Sequence, residues 1–599
     1  MGLCPNPEEV FFMSERVVIL GGGVGGLTAA HELVERGFAV EVHEPKPIPG
    51  GKARTIYVPG TGTGGRPDLP GEHGFRFFPS FYKHLPDTMK RIPTQGNRGA
   101  VFDHLVQVSE YLLASSPSND PVMLCRYPVT PADFRVVLRE LFINYQLQIP
   151  PAELTYFVER LMVILTSCQE RRLAEYEKIA WWDFIAADHM SAAYQLYLAR
   201  GLTRSLVAMR AEEGATRTVG DILLQLVLGL ISPCDQFDRV LDGPTSEVWI
   251  QPWYDYLTVR GVTFHFGSTA VAFHCQGQHL TGVVVRDDAG VERVVTGDHY
   301  VSAMPVERLQ PLVSPEMIAA DPALAALGNL RVAWMNGMQL FVRRDLPLVK
   351  GHANYVTTPW ALTSISQAQF WKNGFDHYGD GTVRGCLSID ISDWETAGIV
   401  FKLPACKVPN QADVETEVVA QLRASLRPDL AAIVADGNIH TPFLDPDIVF
   451  PNPGGATVNL EPLLINTAGS WSSRPEAAGA IDNLFLAADF VQTYTDLATM
   501  EGANEAARRA VNSILARSGS RADPCHIWPL QEPEVFLPLR EYDRIRFNLG
   551  LPHACANTPL PPAEAAAPPA PPLLAATPRA TITHTVSQIA GGLPAPTTR

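Results

Sequence analysis

The sequence predicts an α/β fold in which a Rossmann-type dinucleotide-binding domain carries an inserted α+β domain. Residues 17–20 form a short apolar run that ends on glycines, which is typical of a buried parallel strand. Residues 24–36 follow with the apolar spacing of a helix, and residues 39–44 form the next apolar run. A second strand and helix are predicted near the other end of the chain, at 484–488 and 499–517. The nucleotide-binding domain is therefore expected to be assembled from separated segments.

The composition argues against several classes of protein. Lys and Arg number 47 against 63 Asp and Glu, a net charge of −16, so the chain has no electrostatic reason to bind nucleic acid. Its nine cysteines include no C-x-x-C pair, so we expect no disulfide framework, no metal site and a reducing compartment. No secretory signal pattern is visible, and no apolar run approaches the roughly 20 residues of a membrane span. We expect a cytoplasmic protein, with peripheral membrane contact left open.

The middle of the chain changes from helical to strand patterns. Residues 130–240 have helical spacing, and short strands follow from Gly261 through 331–343, 353–357 and 384–391. The predicted division is a discontinuous nucleotide-binding domain of residues 14–90, 240–320 and 480–520, a substrate domain of 91–239 and 321–479, an extension of 521–555, and a disordered Pro/Ala-rich tail of 556–599.

The first chemical motif is the turn Gly21-Gly22-Gly23-Val24-Gly25-Gly26, which satisfies G-x-G-x-x-G between a strand and a helix. Gly21 allows the tight turn, Gly23 lets the backbone approach a pyrophosphate, and Gly26 lets the helix pack close to the strand. The helix that begins at Val24 and Gly25 presents free N–H groups to the phosphates. Glu44 ends the next strand, where a carboxylate accepts hydrogen bonds from ribose hydroxyls and repels a 2′-phosphate.

A second glycine turn follows closely as Gly50-Gly51-Lys52-Ala53-Arg54-Thr55. Two glycines and two cations just after the ribose carboxylate suit a second approach to the pyrophosphate. Gly51, Lys52, Ala53 and Arg54 are therefore candidate cofactor-binding residues.

Five short segments, in order, resemble the FAD proteins of the phytoene desaturase and amine oxidase superfamily. The resemblance is greatest to its phytoene and zeta-carotene desaturase-like branch, which includes hydroxysqualene dehydroxylase-like proteins. The matching segments are the 50–55 turn, Gly74-Phe75-Arg76-Phe77-Phe78-Pro79-Ser80-Phe81-Tyr82, Leu241-Asp242-Gly243-Pro244, Ala303-Met304-Pro305-Val306, and Leu486-Ala487-Ala488-Asp489 with Leu497-Ala498-Thr499-Met500-Glu501-Gly502-Ala503.

The resemblance implies that the cofactor is FAD in a two-dinucleotide-binding-domain flavoprotein. It implies that Arg76, Phe77 and Tyr82 contact the flavin, and that Asp489 binds the ribityl chain or holds the pyrophosphate region. Met500 would begin a helix whose N-terminal dipole stabilises negative charge on the reduced ring. Ala270 or Val271 would hold the adenine through the backbone, and we choose Val271.

The substrate is less well indicated, because Arg76 stands where the carotenoid enzymes carry His and Pro79 where they carry Gly. The first hypothesis is a desaturase or dehydrogenase that passes hydride between a lipophilic isoprenoid or carotenoid-like substrate and flavin N5, with a squalene-type dehydroxylase or isomerase as a related possibility. Glu72, His73 and Arg76 are the candidates for polarising or proton-handling groups. A quinone or oxygen would be the electron acceptor. The aromatics expected to wall the substrate cavity are Trp181, Trp182, Phe184, Trp334, Phe341, Tyr355, Trp360, Phe370 and Trp371.

A flavin amine oxidase is the alternative. Those enzymes often carry an aromatic cage residue where this chain has Thr499, and their flavin-adjacent lysine matches only loosely to Lys350 or Lys372. A third hypothesis is a flavin-binding protein without catalytic activity, and the full set of cofactor motifs disfavours it. Residues 538–549 mix apolar and charged side chains, and could pack on the parent domain or lie on a membrane as an amphipathic helix.

Overall fold

A computed structural model describes residues 14–561 apart from 95, 97, 115–128, 145–148, 202, 205–208, 232–237 and 452–456. Of the predicted disordered tail, residues 556–561 are described and residues 562–599 lie outside the described residues.

A five-stranded parallel sheet forms the centre of the nucleotide-binding part, which confirms the α/β fold class. Its strands, in spatial order, are Leu484–Leu486, His299–Ser302, Arg16–Leu20, Ala39–Glu44 and Thr263–Phe266. The strands thus come from three separated stretches of sequence. The carboxyl ends of parallel strands share one edge, so the turns after Leu20, Glu44 and Leu486 are brought together there.

Two helices cover this sheet because each has one apolar face. Val24–Glu35 buries Leu27, Ala30 and Leu33, and it packs against Met500–Ser518. The first and last parts of the chain are thereby joined in one core.

A six-stranded sheet forms the second layer of the molecule. Its spatial order is Ile439–Leu444, Asn336–Val342, Gly385–Ile391, Leu362–Ser366, Gly351–Tyr355 and Glu110–Ala114, antiparallel except for the last pair. The sequence predicted one strand over 331–343, but the structure has two, Arg331–Ala333 and Asn336–Val342, which pair in different sheets.

Within the stretch predicted as helical, 130–240, the described residues of 176–210 form several short helices and turns. The helices of this region are Pro131–Asn144, Pro151–Thr166, Gln169–Ala174, Trp181–Phe184, Ala192–Tyr194, the π-helix Gln195–Gly201, and Thr216–Ile231. In the described part of the chain, the remaining α- and π-helices of four or more residues are His84–Arg91, the π-helix Ser246–Ile250, Gln251–Val259, Val306–Leu309, Pro315–Ala320, Gln411–Ser425 and Leu537–Asn548.

The other strands form small sheets around the two large ones. They are Ser268–Gln276, His279–Asp287 and Glu292–Val295 in one antiparallel sheet, Phe77–Phe78, Arg239–Leu241 and Leu105–Gln107 in a second, and the pairs Thr55–Val58 with Leu69–Glu72, Ile448–Val449 with Val458–Asn459, and Arg331–Ala333 with Leu463–Ile465.

The C-terminal helix Leu537–Asn548 packs on the rest of the protein through two of its charged residues. Arg540 and Asp543 are buried, and Arg171 donates to Asp543 Oδ1 at 3.0 Å. Its exposed large apolar residues, with those of the turn after it, are Leu537, Leu539, Tyr542, Ile545, Leu549 and Leu551. Across the described ranges, no helix is long and apolar enough to cross a membrane.

Candidate active site

One cavity of about 930 Å³ extends from the glycine turn at the parallel sheet to the face of the six-stranded sheet. That volume lies at the upper end of the range for ligand-binding cavities. Fourteen of the predicted site residues line it: Gly21, Gly23, Val24, Gly25, Glu44, Gly51, Lys52, Ala53, His73, Arg76, Phe77, Tyr82, Asp489 and Met500. The other four, Gly26, Arg54, Glu72 and Val271, do not.

The two glycine turns face each other across a narrow gap. Gly50 N–H donates to the Gly22 carbonyl at 2.8 Å, and a Cβ on Gly51 would lie 2.9 Å from Gly23 Cα. No side chain caps the helix that follows Gly23, so its first N–H groups remain available to a ligand. Backbone donors beside two side-chain-free positions fit the pyrophosphate of a dinucleotide.

Gly25 and Gly26 hold the helix close to the sheet. A Cβ on Gly26 would lie 1.8 Å from the Gly21 carbonyl oxygen, and one on Gly25 would lie 2.0 Å from that of Ala487. Real Cβ atoms do not come this close to backbone, so both positions require glycine. Gly26 thus packs the helix against the strand behind the cavity.

Glu44 shapes the turn from the end of its strand. Its Oε2 accepts from Gly22 N–H at 2.6 Å and its Oε1 accepts from Lys46 N–H at 2.9 Å. Burial raises the pKa of this carboxyl, although the Lys46 and Gly22 N–H groups oppose the shift. The carboxylate lines the cavity where the motif predicts the ribose.

The cations of the second turn point in different directions. Lys52 lines the cavity, and its Nζ contacts the Pro462 carbonyl and lies 3.5 Å from Glu307 Oε1. Arg54 instead points behind the wall and donates to the Gly51 carbonyl at 2.5 Å and to Asp447 Oδ2 at 3.1 Å. The predicted direct contact of Arg54 with the cofactor is therefore replaced by a role in fixing the turn.

Asp489 follows the last strand of the parallel sheet, on the cavity wall. Burial raises the pKa of its carboxyl, opposed by the charges of Lys52 and Arg474. Arg474 donates to the Asp489, Phe490 and Val491 carbonyls at 3.0, 2.9 and 2.7 Å. Sequence reasoning missed this arginine, which fixes the loop carrying Asp489.

The helix at the far end of the motif set begins at Met500, as predicted, and Met500 and Ala503 line the cavity. Thr499 caps it by accepting from Gly502 N–H at 3.0 Å. Glu501 points away and accepts from the Lys83, His84 and Leu85 N–H groups at 2.7, 2.7 and 2.9 Å. The carboxylate thus joins this helix to the segment that carries Tyr82, whose own pKa is raised by burial.

Glu72 does not reach the cavity, contrary to its selection as a proton-handling candidate. It lies behind the wall, where Oε1 accepts from Thr55 Oγ1 and Thr245 N–H, each at 3.0 Å. Burial raises the pKa of Glu72, and Arg76 opposes the shift. Arg76 lines the cavity and donates to the Lys52 carbonyl at 2.5 Å. His73 also reaches the wall, and its Nδ1 lies 2.6 Å from Asp445 Oδ2.

Val271 is not at the cavity wall, whereas Ala270, the residue that we did not choose, is. The strand Ser268–Gln276 has an irregular register between Ala270 and Ala272, so Val271 falls outside regular pairing. Strand alternation therefore could not decide between the two.

The predicted aromatic wall is wrong. None of its nine members lines the cavity, because the largest of them are core residues: Trp181, Trp360 and Tyr355 are fully buried. Lys350 and Lys372, the loosely matched lysines of an amine oxidase, are also absent from the lining, and Lys372 pairs with Asp242 at 2.6 Å. The actual apolar wall is mainly aliphatic: Leu112, Leu113, Leu198, Ile222, Leu223, Leu226 and Val227.

Four polar residues of the six-stranded sheet line the cavity, and sequence reasoning missed them: His352, Asn354, Thr363 and Asp390. Burial raises the pKa of Asp390 to about 7, against the charge of Arg76, and burial lowers the pKa of His352 to about 4. A polar residue inside a predicted buried strand, such as Asp390 within 384–391, was the available signal.

Two groups of side chains in the described part of the chain offer closely spaced metal-ligand atoms. They are Glu41, His43 and His265, and His73, Asp445 and Asp447. In each group a carboxylate is already paired with an arginine of this chain: Arg16 donates to Glu41 at 2.8 Å, and Arg54 donates to Asp447 at 3.1 Å.

Comparisons with known proteins agree with this geometry. The model of the family described as flavin containing amine oxidoreductase matches residues 24–515. The carotenoid phi-ring synthase of Chlorobaculum tepidum is 23% identical, over 86% of this chain and 91% of the relative. A probable zeta-carotene desaturase of Synechococcus elongatus is 24% identical, over 84% and 98%. Reduced UDP-galactopyranose mutase has a similar fold, with a TM-score of 0.55 at 14% identity over 84% of this chain and 96% of that one.

The glycine turns, the uncapped helix terminus and the Glu44 carboxylate fit FAD, and the match spans most of the chain. This protein belongs to the flavin containing amine oxidoreductase family, and it is an FAD-dependent oxidoreductase.

Proposed function

We propose that the enzyme is a desaturase or dehydrogenase that moves hydride between a lipophilic, isoprenoid or carotenoid-like substrate and flavin N5. The observation that carries the proposal is that the cavity continues from the cofactor-binding turns to a largely aliphatic wall, with Leu113, Leu198 and Ile222 among its residues. The two curated relatives, named for carotenoid chemistry, support the same substrate class.

Bound FAD supplies the hydride acceptor, so this chain's residues mainly bind and orient. The helix that begins at Met500 directs its N-terminal dipole toward the cavity and favours negative charge there. The aliphatic residues of Thr216–Ile231 exclude water, which suits an apolar chain. Asp390, on the opposite wall, is the buried carboxyl best suited to hold or release a proton near neutral pH.

The product identifies the reaction. Holoenzyme mixed with a long-chain isoprenoid and a soluble quinone should yield a product lighter by two hydrogen atoms, measured by mass spectrometry. Gly25→Ala protein, which should not hold FAD, is the control. A parallel reaction tests the dehydroxylase alternative, with photoreduced holoenzyme as the electron donor, a hydroxylated isoprenoid and no quinone; replacement of the hydroxyl by hydrogen, with release of water, would indicate that reaction instead. Recovery of unchanged isoprenoids together with oxidation of amines in the quinone reaction would favour the amine oxidase.

We further propose that a quinone or oxygen accepts the electrons, and that the enzyme meets its lipids at a membrane surface. The helix Leu537–Asn548 supports the second point, because Arg540 and Asp543 are buried and its exposed side carries Leu539, Tyr542 and Ile545. Apolar side chains with an aromatic among them suit a lipid headgroup boundary.

Liposome sedimentation tests this surface. Full-length protein should co-sediment with zwitterionic phosphatidylcholine vesicles, because an apolar surface on a chain of net charge −16 gains no electrostatic attraction from anionic lipid. Ile545→Glu should reduce the bound fraction at least threefold. Val259→Glu, at an 87% exposed apolar residue of a different helix, is the matched control and should bind as the wild type does. Equal binding by all three proteins would reject the surface.

A further inference from the structure

Three neighbouring strands of the six-stranded sheet place a row of polar side chains across the cavity. Asp390 is paired with Thr363, and Thr363 with Asn354, so the three side chains lie on one face of the sheet. His352 precedes Asn354 by two residues and lies on the same face. We call these four residues the polar row; all of them line the cavity.

Apolar residues border the polar row at its Asn354 and His352 end. Asn354 is paired with Leu113 on the next strand, and Leu113 lines the cavity as well. His352 lies against the rings of Phe75 and Phe77, each with centroids 5.2 Å away. The row is therefore a polar strip within an otherwise largely apolar chamber.

Most of the polar row has unmet hydrogen-bonding capacity. Among the described residues, neither ring nitrogen of His352 has a hydrogen-bond partner, and the same is true of Asn354 Oδ1 and Asp390 Oδ1. All three side chains are more than nine-tenths buried, at 5, 6 and 6% exposed. Leaving a buried polar group unpaired costs about 1–3 kcal/mol, so such groups normally have a partner.

Gly74 leaves room for the Asp390 carboxyl. A Cβ at Gly74 would lie 2.7 Å from Asp390 Oδ1, so the glycine admits the carboxyl at this point of the wall.

Asp390 is the one titratable member of the polar row that carries charge near neutral pH, and it is only partly ionised there. Burial keeps the His352 ring neutral, since its pKa falls to about 4, and it brings the pKa of Asp390 to about 7. The row can therefore donate and accept hydrogen bonds without demanding a charged ligand.

We propose that the substrate is an uncharged amphiphile, a long apolar chain with one hydroxyl group, and that the polar row binds the hydroxyl while the aliphatic wall holds the chain. This rests on the proposed function and narrows its substrate class, because a pure hydrocarbon would leave both ring nitrogens of His352, Asn354 Oδ1 and Asp390 Oδ1 without a hydrogen-bond partner. A hydroxyl both donates and accepts, as do a neutral imidazole and an amide. Sites built to hydrogen-bond a hydroxyl discriminate strongly against the analogue that lacks it.

Equilibrium binding to the oxidised holoenzyme tests the proposal without turnover. The probes are phytanol and phytane, the same saturated branched chain with and without a terminal hydroxyl, and phytanylamine as the cationic analogue. Each is delivered in the same detergent micelles, and binding is followed through the flavin absorption spectrum. The variants are Asn354→Leu and His352→Phe, with Leu113→Ala as the matched control from the apolar end of the same sheet face.

The ratio of the phytane to the phytanol dissociation constant should fall at least tenfold from the wild type to Asn354→Leu and to His352→Phe. Comparing this ratio between proteins cancels the different partitioning of the two probes into micelles. Leu113→Ala should weaken both probes and leave the ratio within about twofold. FAD content should be unchanged in all variants, since the polar row is assigned to the substrate.

An unchanged ratio in both polar-row variants would overturn the proposal, as would loss of FAD from them, tighter binding of phytanylamine than of phytanol, or no measurable binding of phytanol. Failure of the proposed function looks different. In that case no isoprenoid would reduce the flavin, while the binding ratio could still respond to Asn354→Leu.

Discussion

Replacing Asp390 with Asn tests the buried carboxyl at the centre of the cavity wall. Burial raises its pKa from 3.8 to about 7, and a shift of about three units corresponds to about 4 kcal/mol. The folded state binds the proton more tightly than the unfolded state, so this group's contribution to stability falls as pH rises from about 4 to 7. Asparagine does not titrate, and Asp390→Asn should therefore gain stability relative to wild type over that range.

Between pH 5 and pH 8 about 3 kcal/mol of this difference should be visible. At roughly 2 cal/mol/K per residue, the unfolding entropy of a chain this long makes that about 2 °C in Tm. The assay is the Tm of both proteins at pH 5, 6, 7 and 8, with Asp436→Asn as the control, since the Asp436 side chain is 95% exposed. A Tm difference for Asp390→Asn that does not grow with pH would refute the reasoning.

Two further changes probe the cofactor site. Gly25→Ala places a Cβ 2.0 Å from the Ala487 carbonyl oxygen and should reduce FAD content after reconstitution at least tenfold, measured by flavin absorbance. Gly37→Asn is the control and should retain FAD, because Gly37 has a φ of 85° and no atom lies within 4 Å of its Cβ position. Equal FAD content in the two variants would show that the close packing at Gly25 does not matter. Arg474→Met removes the donor to the carbonyls of residues 489–491 and should cost about 3–5 kcal/mol, seen as a Tm loss of about 3 °C. Arg286, which forms an exposed ion pair, provides the comparison: Arg286→Met should lower the free energy of unfolding by less than about 1 kcal/mol. Similar losses of Tm in the two variants would show that burial of Arg474 does not matter.

The cofactor end of the site was predictable because its information is local. Gly21 to Gly26 form a turn whose neighbours in sequence are also its neighbours in space, and Glu44 follows from the length of one βαβ unit. Met500 was found through a motif that begins a helix, and the helix begins there.

The substrate end was not predictable because it depends on register between distant strands. Asp390, Thr363 and Asn354 become neighbours only once three strands pair, and no local pattern specifies that pairing. The aromatic wall failed for the opposite reason. Large aromatics such as Trp181 and Trp360 bury most area in a core, and their presence in a segment says little about a cavity.

The direction in which a side chain points was a third feature that the sequence did not predict. Arg54 and Lys52 lie two residues apart in one turn, yet only Lys52 reaches the cavity, because Asp447 draws Arg54 to the other side. That aspartate is far away in sequence, so the two cations looked equivalent.

The most direct test of the account is anaerobic mixing of the oxidised holoenzyme with a panel of isoprenoids, hydroxylated isoprenoids, primary amines and polyamines. If the enzyme oxidises isoprenoids, a lipophilic isoprenoid should bleach the flavin absorption band and the amines should leave it unchanged. Bleaching by the amines alone would contradict it and make the enzyme an amine oxidase.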